Sequence, residues 1–68
     1  MQYAVIIEKS GNGYAAYVPD LPGCVAAAKT RAETERLIRE AIQFHIEAMR
    51  EYGEPIPKPT TGVGLVEV

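Results

Sequence analysis

The tightest constraint on this chain is a pair of prolines three residues apart, in Val18-Pro19-Asp20-Leu21-Pro22-Gly23-Cys24. Each proline fixes φ at about −65° and removes a backbone donor, so neither a helix nor a central strand can run through this stretch. An alternating run, Tyr14-Ala15-Ala16-Tyr17, enters it, and an apolar run, Cys24-Val25-Ala26-Ala27-Ala28-Lys29, leaves it. Two strands joined by a rigid corner satisfy all three features.

The strand entering the corner, residues 13–18, has a partner upstream. Residues 2–9, Gln2-Tyr3-Ala4-Val5-Ile6-Ile7-Glu8-Lys9, are β-branched and aromatic and read as a first strand. Tyr3, Val5 and Ile7 fall on one face and Ala4 and Ile6 on the other. Being apolar on both faces predicts a strand that is central in its sheet or covered on both sides. Ser10-Gly11-Asn12-Gly13 tolerates positive φ and reads as a hairpin turn. Its glycines lead into a strand rather than a helix, which sets aside a phosphate-binding loop.

Residues 24–29 form the third expected strand, ended by Thr30-Arg31-Ala32-Glu33, the spacing of a capping box. A helix then runs from Arg31 to about Tyr52, ~33 Å at ~1.5 Å per residue, with Gly53 just past its end. Leu37, Ile38, Ala41, Ile42, Phe44, Ala48, Met49 and Tyr52 share a broad apolar face. Glu35 and Arg39 are spaced to pair on the polar side. Pro55, Pro57 and Pro59 make a stiff extended return, and residues 62–68 read as a last strand. The expectation is an α+β domain, β-β-β-α-β: three antiparallel strands, a fourth reached by a right-handed crossover, and one long helix on one face. The expected spatial order is 3-2-1-4, with the chain forming a single domain over residues 1–68.

A length of 68 residues leaves a lone monomer marginal, and one cysteine permits no internal disulfide. A homo-dimer or homo-tetramer is therefore expected. The net charge of −2 argues against nucleic-acid binding and suits a basic protein partner. No apolar run is long enough to span a membrane, and a cytoplasmic location is expected.

Candidate chemistry is sparse. His45 sits within the helical apolar stripe and reads as a packed residue. Cys24 opens an apolar strand and reads as a buried structural thiol. Glu8, Asp20, Glu33 and Glu40 do not stand at spacings that demand a catalytic or metal-binding pair. No catalytic residue, metal or cofactor is expected. Tyr14 and Tyr17, with Leu21 and Pro22 beside them, are better candidates, suited equally to low-entropy protein contact or to packing under the helix. Asp20 has the position to accept hydrogen bonds within its own turn.

The run from Tyr14 to Cys24, then Thr30 with Glu33, Glu40-Ala41-Ile42, Gly53, Ile56-Pro57 and Pro59, resembles the HicB family, antitoxins of HicA–HicB toxin–antitoxin pairs. The resemblance covers nearly the whole chain. It implies a partial RNase H-like fold and a non-enzymatic, protein-binding role: docking on a small, basic, mRNA-cleaving HicA-type toxin and blocking its access to RNA. On that reading the partner-binding residues are Tyr17, Asp20, Leu21, Pro22 and Gly23 at the corner. The C-terminal DNA-binding domain carried by many family members is not expected here. The alternative is an orphan HicB-like oligomeric scaffold serving another protein or ligand, and behind it a vestigial nuclease.

Overall fold

The structure, a computed structural model, describes residues 2–67. Three strands, β1 (Ile6–Ser10), β2 (Gly13–Tyr17) and β3 (Val25–Ala28), precede one helix, α1 (Arg31–Glu51). Both strand pairs are antiparallel, in the order β1-β2-β3. Ser10 faces Gly13 across the hairpin, and only Gly11 has positive φ (57°), at the first loop position as a type II′ turn requires. Gly13 has a different role: a Cβ there would come within 2.5 Å of the Ala28 carbonyl oxygen.

The corner is two successive turns. Leu21 N–H donates to the Val18 carbonyl (3.1 Å), and Cys24 N–H to the Leu21 carbonyl (3.1 Å). Pro19 and Pro22 each hold the second position of a turn, and Gly23, at φ 85°, supplies the left-handed residue of the second. Val18 N–H to the Cys24 carbonyl (3.2 Å) closes the pair at the base. This winding turns Leu21 inward until it is fully buried.

α1 begins as the capping pattern requires, with Glu33 N–H donating to Thr30 Oγ1 at 3.1 Å. It ends at Tyr52 in a Schellman arrangement: Gly53 (φ 69°) N–H reaches the Arg50 carbonyl, and Glu54 N–H the Met49 carbonyl at 2.8 Å. Glu35 pairs with Arg31 (3.1 Å) rather than Arg39, and Arg36 bridges Glu40 (3.2 Å) and Glu33 (3.9 Å). All of these groups are exposed, so each pair contributes at most about 0.5 kcal/mol.

The helix packs on β3 and β2 and hardly touches β1. The fully buried hydrophobic core is Ala16, Val18, Leu21, Cys24 and Ile38, with Tyr3, Val5, Ile7, Ala26, Ala41 and Ile42 against it. Its buried face is narrower than the periodicity implies, because Phe44 (75% exposed) and Tyr52 (77%) face solvent. Phe44 stands ~120° round α1 from Ile38, on its flank, whereas Ile46 and Met49, further along the helix, are half-buried. Tyr52 is the C-cap residue, past the last residue of α1.

Two expectations need correction. Residues 62–67 form no strand in the single chain, and Leu65 is 97% exposed; Val68 lies outside the described residues. β1 is consequently an edge strand rather than an interior one. The adjacency of β3, β2 and β1 is as expected, but the fourth position beside β1 is open.

Leu21 fills the centre of this small core, so Leu21→Ala is expected to cost about 2–5 kcal/mol, a large share of a small domain's stability. Urea unfolding followed by circular dichroism checks this. A loss below about 1 kcal/mol would mean that Leu21 does not anchor the core.

Candidate protein-binding site at the proline corner

The five corner residues separate into two groups. Tyr17, Pro22 and Gly23 are exposed, Tyr17 by 44%, whereas Leu21 is fully buried and can act only by holding the corner's shape. Asp20 is spent internally. Its Oδ2 accepts the backbone N–H groups of Thr60 (3.1 Å) and Thr61 (3.0 Å), and its Oδ1 accepts both threonine hydroxyls at 2.9 Å. The carboxylate thus fastens the proline-rich return to the corner, forty residues away in sequence. Nearer the helix end, the Tyr3 hydroxyl donates to the Pro57 carbonyl and ties the same return to the N-terminal segment.

The Thr61 backbone N–H is the main influence holding the Asp20 carboxyl below the usual range, opposed by partial desolvation and aided by the remaining threonine donors. Cys24 behaves oppositely: burial pushes its thiol up, away from nucleophilic chemistry. Among the described residues no group of three or more His, Cys, Asp or Glu side chains could hold a metal ion.

Strand alternation puts Tyr17 on the sheet face opposite the helix, since Ala16 faces the core. Tyr14, of the same parity as Ala16, lies on the helix side and is partly covered. Tyr17 pairs with Ile6 on one side and Val25 on the other. Ile6–Tyr17–Val25 therefore forms one apolar row on the uncovered face, and Val25 is 64% exposed. The next outward row is Glu8–Ala15–Ala27, two small side chains with an exposed carboxylate at the β1 end. Ile6 and Val25 were missed as site residues; the apolar second face of residues 2–9 was the signal for Ile6.

The chain matches the family described as "HicB_like antitoxin of bacterial toxin-antitoxin system" over residues 3–66. It belongs to the HicB-like antitoxin family. A UPF0150 protein of Thermoplasma acidophilum is 44% identical over 59 residues, covering 85% of this chain and 86% of that one. A UPF0150 protein of Archaeoglobus fulgidus is 41% identical over 71 residues, covering 100% and 96%. A 14.9 kDa protein of Haemophilus phage HP1, from its rep-hol intergenic region, is 48% identical over 58 residues. This HicB-like chain spans only 44% of that relative's length. Among solved structures, a chain of a "HicA3 and HicB3 toxin-antitoxin complex" superposes with a TM-score of 0.74 at 37% identity, covering 88% of this chain and 70% of that one. Among the described residues no helix is long and apolar enough to cross a membrane.

The Asp20 clasp has a defined pH dependence. Because the folded carboxyl titrates below its unfolded value, the clasp's contribution is fully present above the unfolded pKa. It disappears as pH falls through the folded pKa. Amide exchange of Thr60 and Thr61 is the reporter: protection is expected near neutral pH, with loss in acid and in Asp20→Ala at every pH. Protection unchanged in Asp20→Ala would remove the clasp.

Proposed function

We propose that this HicB-like domain is an antitoxin module that binds a small, basic, RNA-cleaving protein of the HicA type and blocks its access to RNA. The observation that carries the reading is the uncovered Ile6–Tyr17–Val25 row beside the exposed Pro22-Gly23 turn, in a member of an antitoxin family. Tyr17 can lose aromatic area to a partner at little conformational cost, since the strand and the double turn already fix its backbone. Leu21 and Asp20 serve the same surface indirectly: the first seats the corner on the core, the second fastens the return behind it. The net charge of −2 favours encounter with a cationic partner. The activity proposed is occlusion, with no chemistry performed by the antitoxin itself.

The test is calorimetric titration of a HicA-type toxin with the wild type, Tyr17→Ala and Val25→Glu, paired with an RNA-cleavage assay. Each variant is expected to lose at least about fivefold in affinity, the ~1 kcal/mol that marks a significant interface residue, and to release cleavage in parallel. Phe44→Ala, on the exposed flank of α1, is expected to bind normally. Loss confined to Phe44→Ala would move the site to the helix, and failure of the wild type to bind would end the antitoxin reading.

A further inference from the structure

On the helix side of the sheet, α1 leaves the β1 edge incompletely covered. Between β1 and α1 lies a cavity of about 280 Å³ lined by Val5, Ile7, Ile38 and Ile42, with Glu35 and Arg39 at its mouth. It continues past Ile42 into a second, about 270 Å³, bordered by Tyr3, Ile46 and Arg50. Together they form a groove along the helix from Glu35 to Arg50, ~22 Å at ~1.5 Å per residue. The wall facing the helix is made by residues 3–7, and where these enter β1 the strand is an open edge with no outer strand partner among the described residues.

The same chain carries a segment of matching shape. Gly62-Val63-Gly64-Leu65-Val66-Glu67 is extended and strand-like in composition, and six such residues reach ~20 Å. Val63 (71%), Leu65 (97%) and Val66 (85%) are exposed. The segment does not occupy the groove of its own chain. Its root, Thr60-Thr61, is fastened to Asp20 at the corner between β2 and β3, with β2 standing between that corner and the β1 edge.

Surface area points the same way. A compact monomer of 7.4 kDa exposes ~4,200 Å²; this chain exposes 5323 Å². The excess, roughly 1,100 Å², resembles the ~800 Å² that each partner buries in a stable interface. The radius of gyration agrees: 13.1 Å, against ~10.9 Å for a compact chain of this length.

We propose that residues 62–67 of one copy lie in the β1–α1 groove of a second copy, adding a fourth strand at its β1 edge, and that two copies exchange these segments reciprocally. An unpaired edge and an unpaired strand on one chain are self-complementary, so a two-fold pair satisfies both and closes. Strand alternation sends Val63 and Leu65 to one face, toward Ile38 and Ile42. Glu67 falls on that face too, and Arg39 has no ion-pair partner among the described residues. The exchange is independent of the antitoxin reading, because it uses the β1 edge and not the corner.

Cross-linking decides between exchange and self-docking. A Leu65→Cys chain and an Ile42→Cys chain are co-expressed and treated with a short bifunctional maleimide; Cys24, 3% exposed, is expected to stay unreactive in a wild-type control. Random pairing makes half of the dimers mixed, so roughly half of the chains should run at twice the chain mass on a denaturing gel. A mixture that stays single-chain, whether or not the Leu65→Cys/Ile42→Cys double variant links within itself, overturns the proposal. Light scattering supplies the second readout. The wild type should be at least dimeric, and Val63→Glu/Leu65→Glu, altering only exposed side chains, should be monomeric and folded. A monomeric wild type, or a charged variant that stays dimeric, also overturns it.

Discussion

Burial of Leu21 is the constraint on which the remaining structure depends. The double turn from Val18 to Cys24 contributes Val18, Leu21 and Cys24 to a fully buried hydrophobic core whose other members are Ala16 and Ile38. A connection between strands ordinarily runs over the surface because its backbone groups need water. Here the corner satisfies the N–H groups of Val18, Leu21 and Cys24 internally, and only then can its side chains point inward. The two prolines lower the entropy lost on folding, and Gly23 supplies the one left-handed φ within the corner. Seated in this way, the corner holds β3 against β2 and presents Tyr17 and Val25 outward.

The return segment depends on the corner in turn. Among the described residues after Gly53 none belongs to a strand, and the path of the return rests on point attachments: the Tyr3 hydroxyl on the Pro57 carbonyl, and Asp20 on Thr60 and Thr61. Alternating prolines suit such a path, since a stiff extended segment needs few anchors. A carboxylate with four donors can be replaced by few other side chains at this place. This is why Asp20 reads as a structural fastening even though it stands in a turn between two strands.

Much of this was legible in the sequence. The corner, the hairpin, the Thr30 cap and the Gly53 stop are local devices with local causes, and each appears where its residues place it. The Asp20–Thr61 clasp was not legible, because no short-range pattern links groups forty-one residues apart. The outer apolar row was half legible: residues 2–9 are apolar on both faces, but their register with Tyr17 and Val25 comes only from the folded hairpin. The breadth of the helical stripe misled, since a stripe wide enough to take in Phe44 reaches ~120° from Ile38, beyond what the sheet covers. Tyr52 is exposed at the C-cap, past the helix.

The two-sided apolar character of residues 2–9 links these outcomes. An interior strand was its simplest explanation, yet β1 is an edge in the single chain. Val5 and Ile7 face a groove that the helix only partly covers, and Ile6 belongs to the open outer row. A sequence that is apolar on both faces of an edge strand carries a cost in water unless further chains cover it. The two proposed associations would cover both faces, the outer row against a partner of another kind and the β1 groove against a second copy. Under the proposed exchange β1 takes its missing neighbour from another chain, so a sequence that codes for an interior strand and a single chain that displays an edge are consistent.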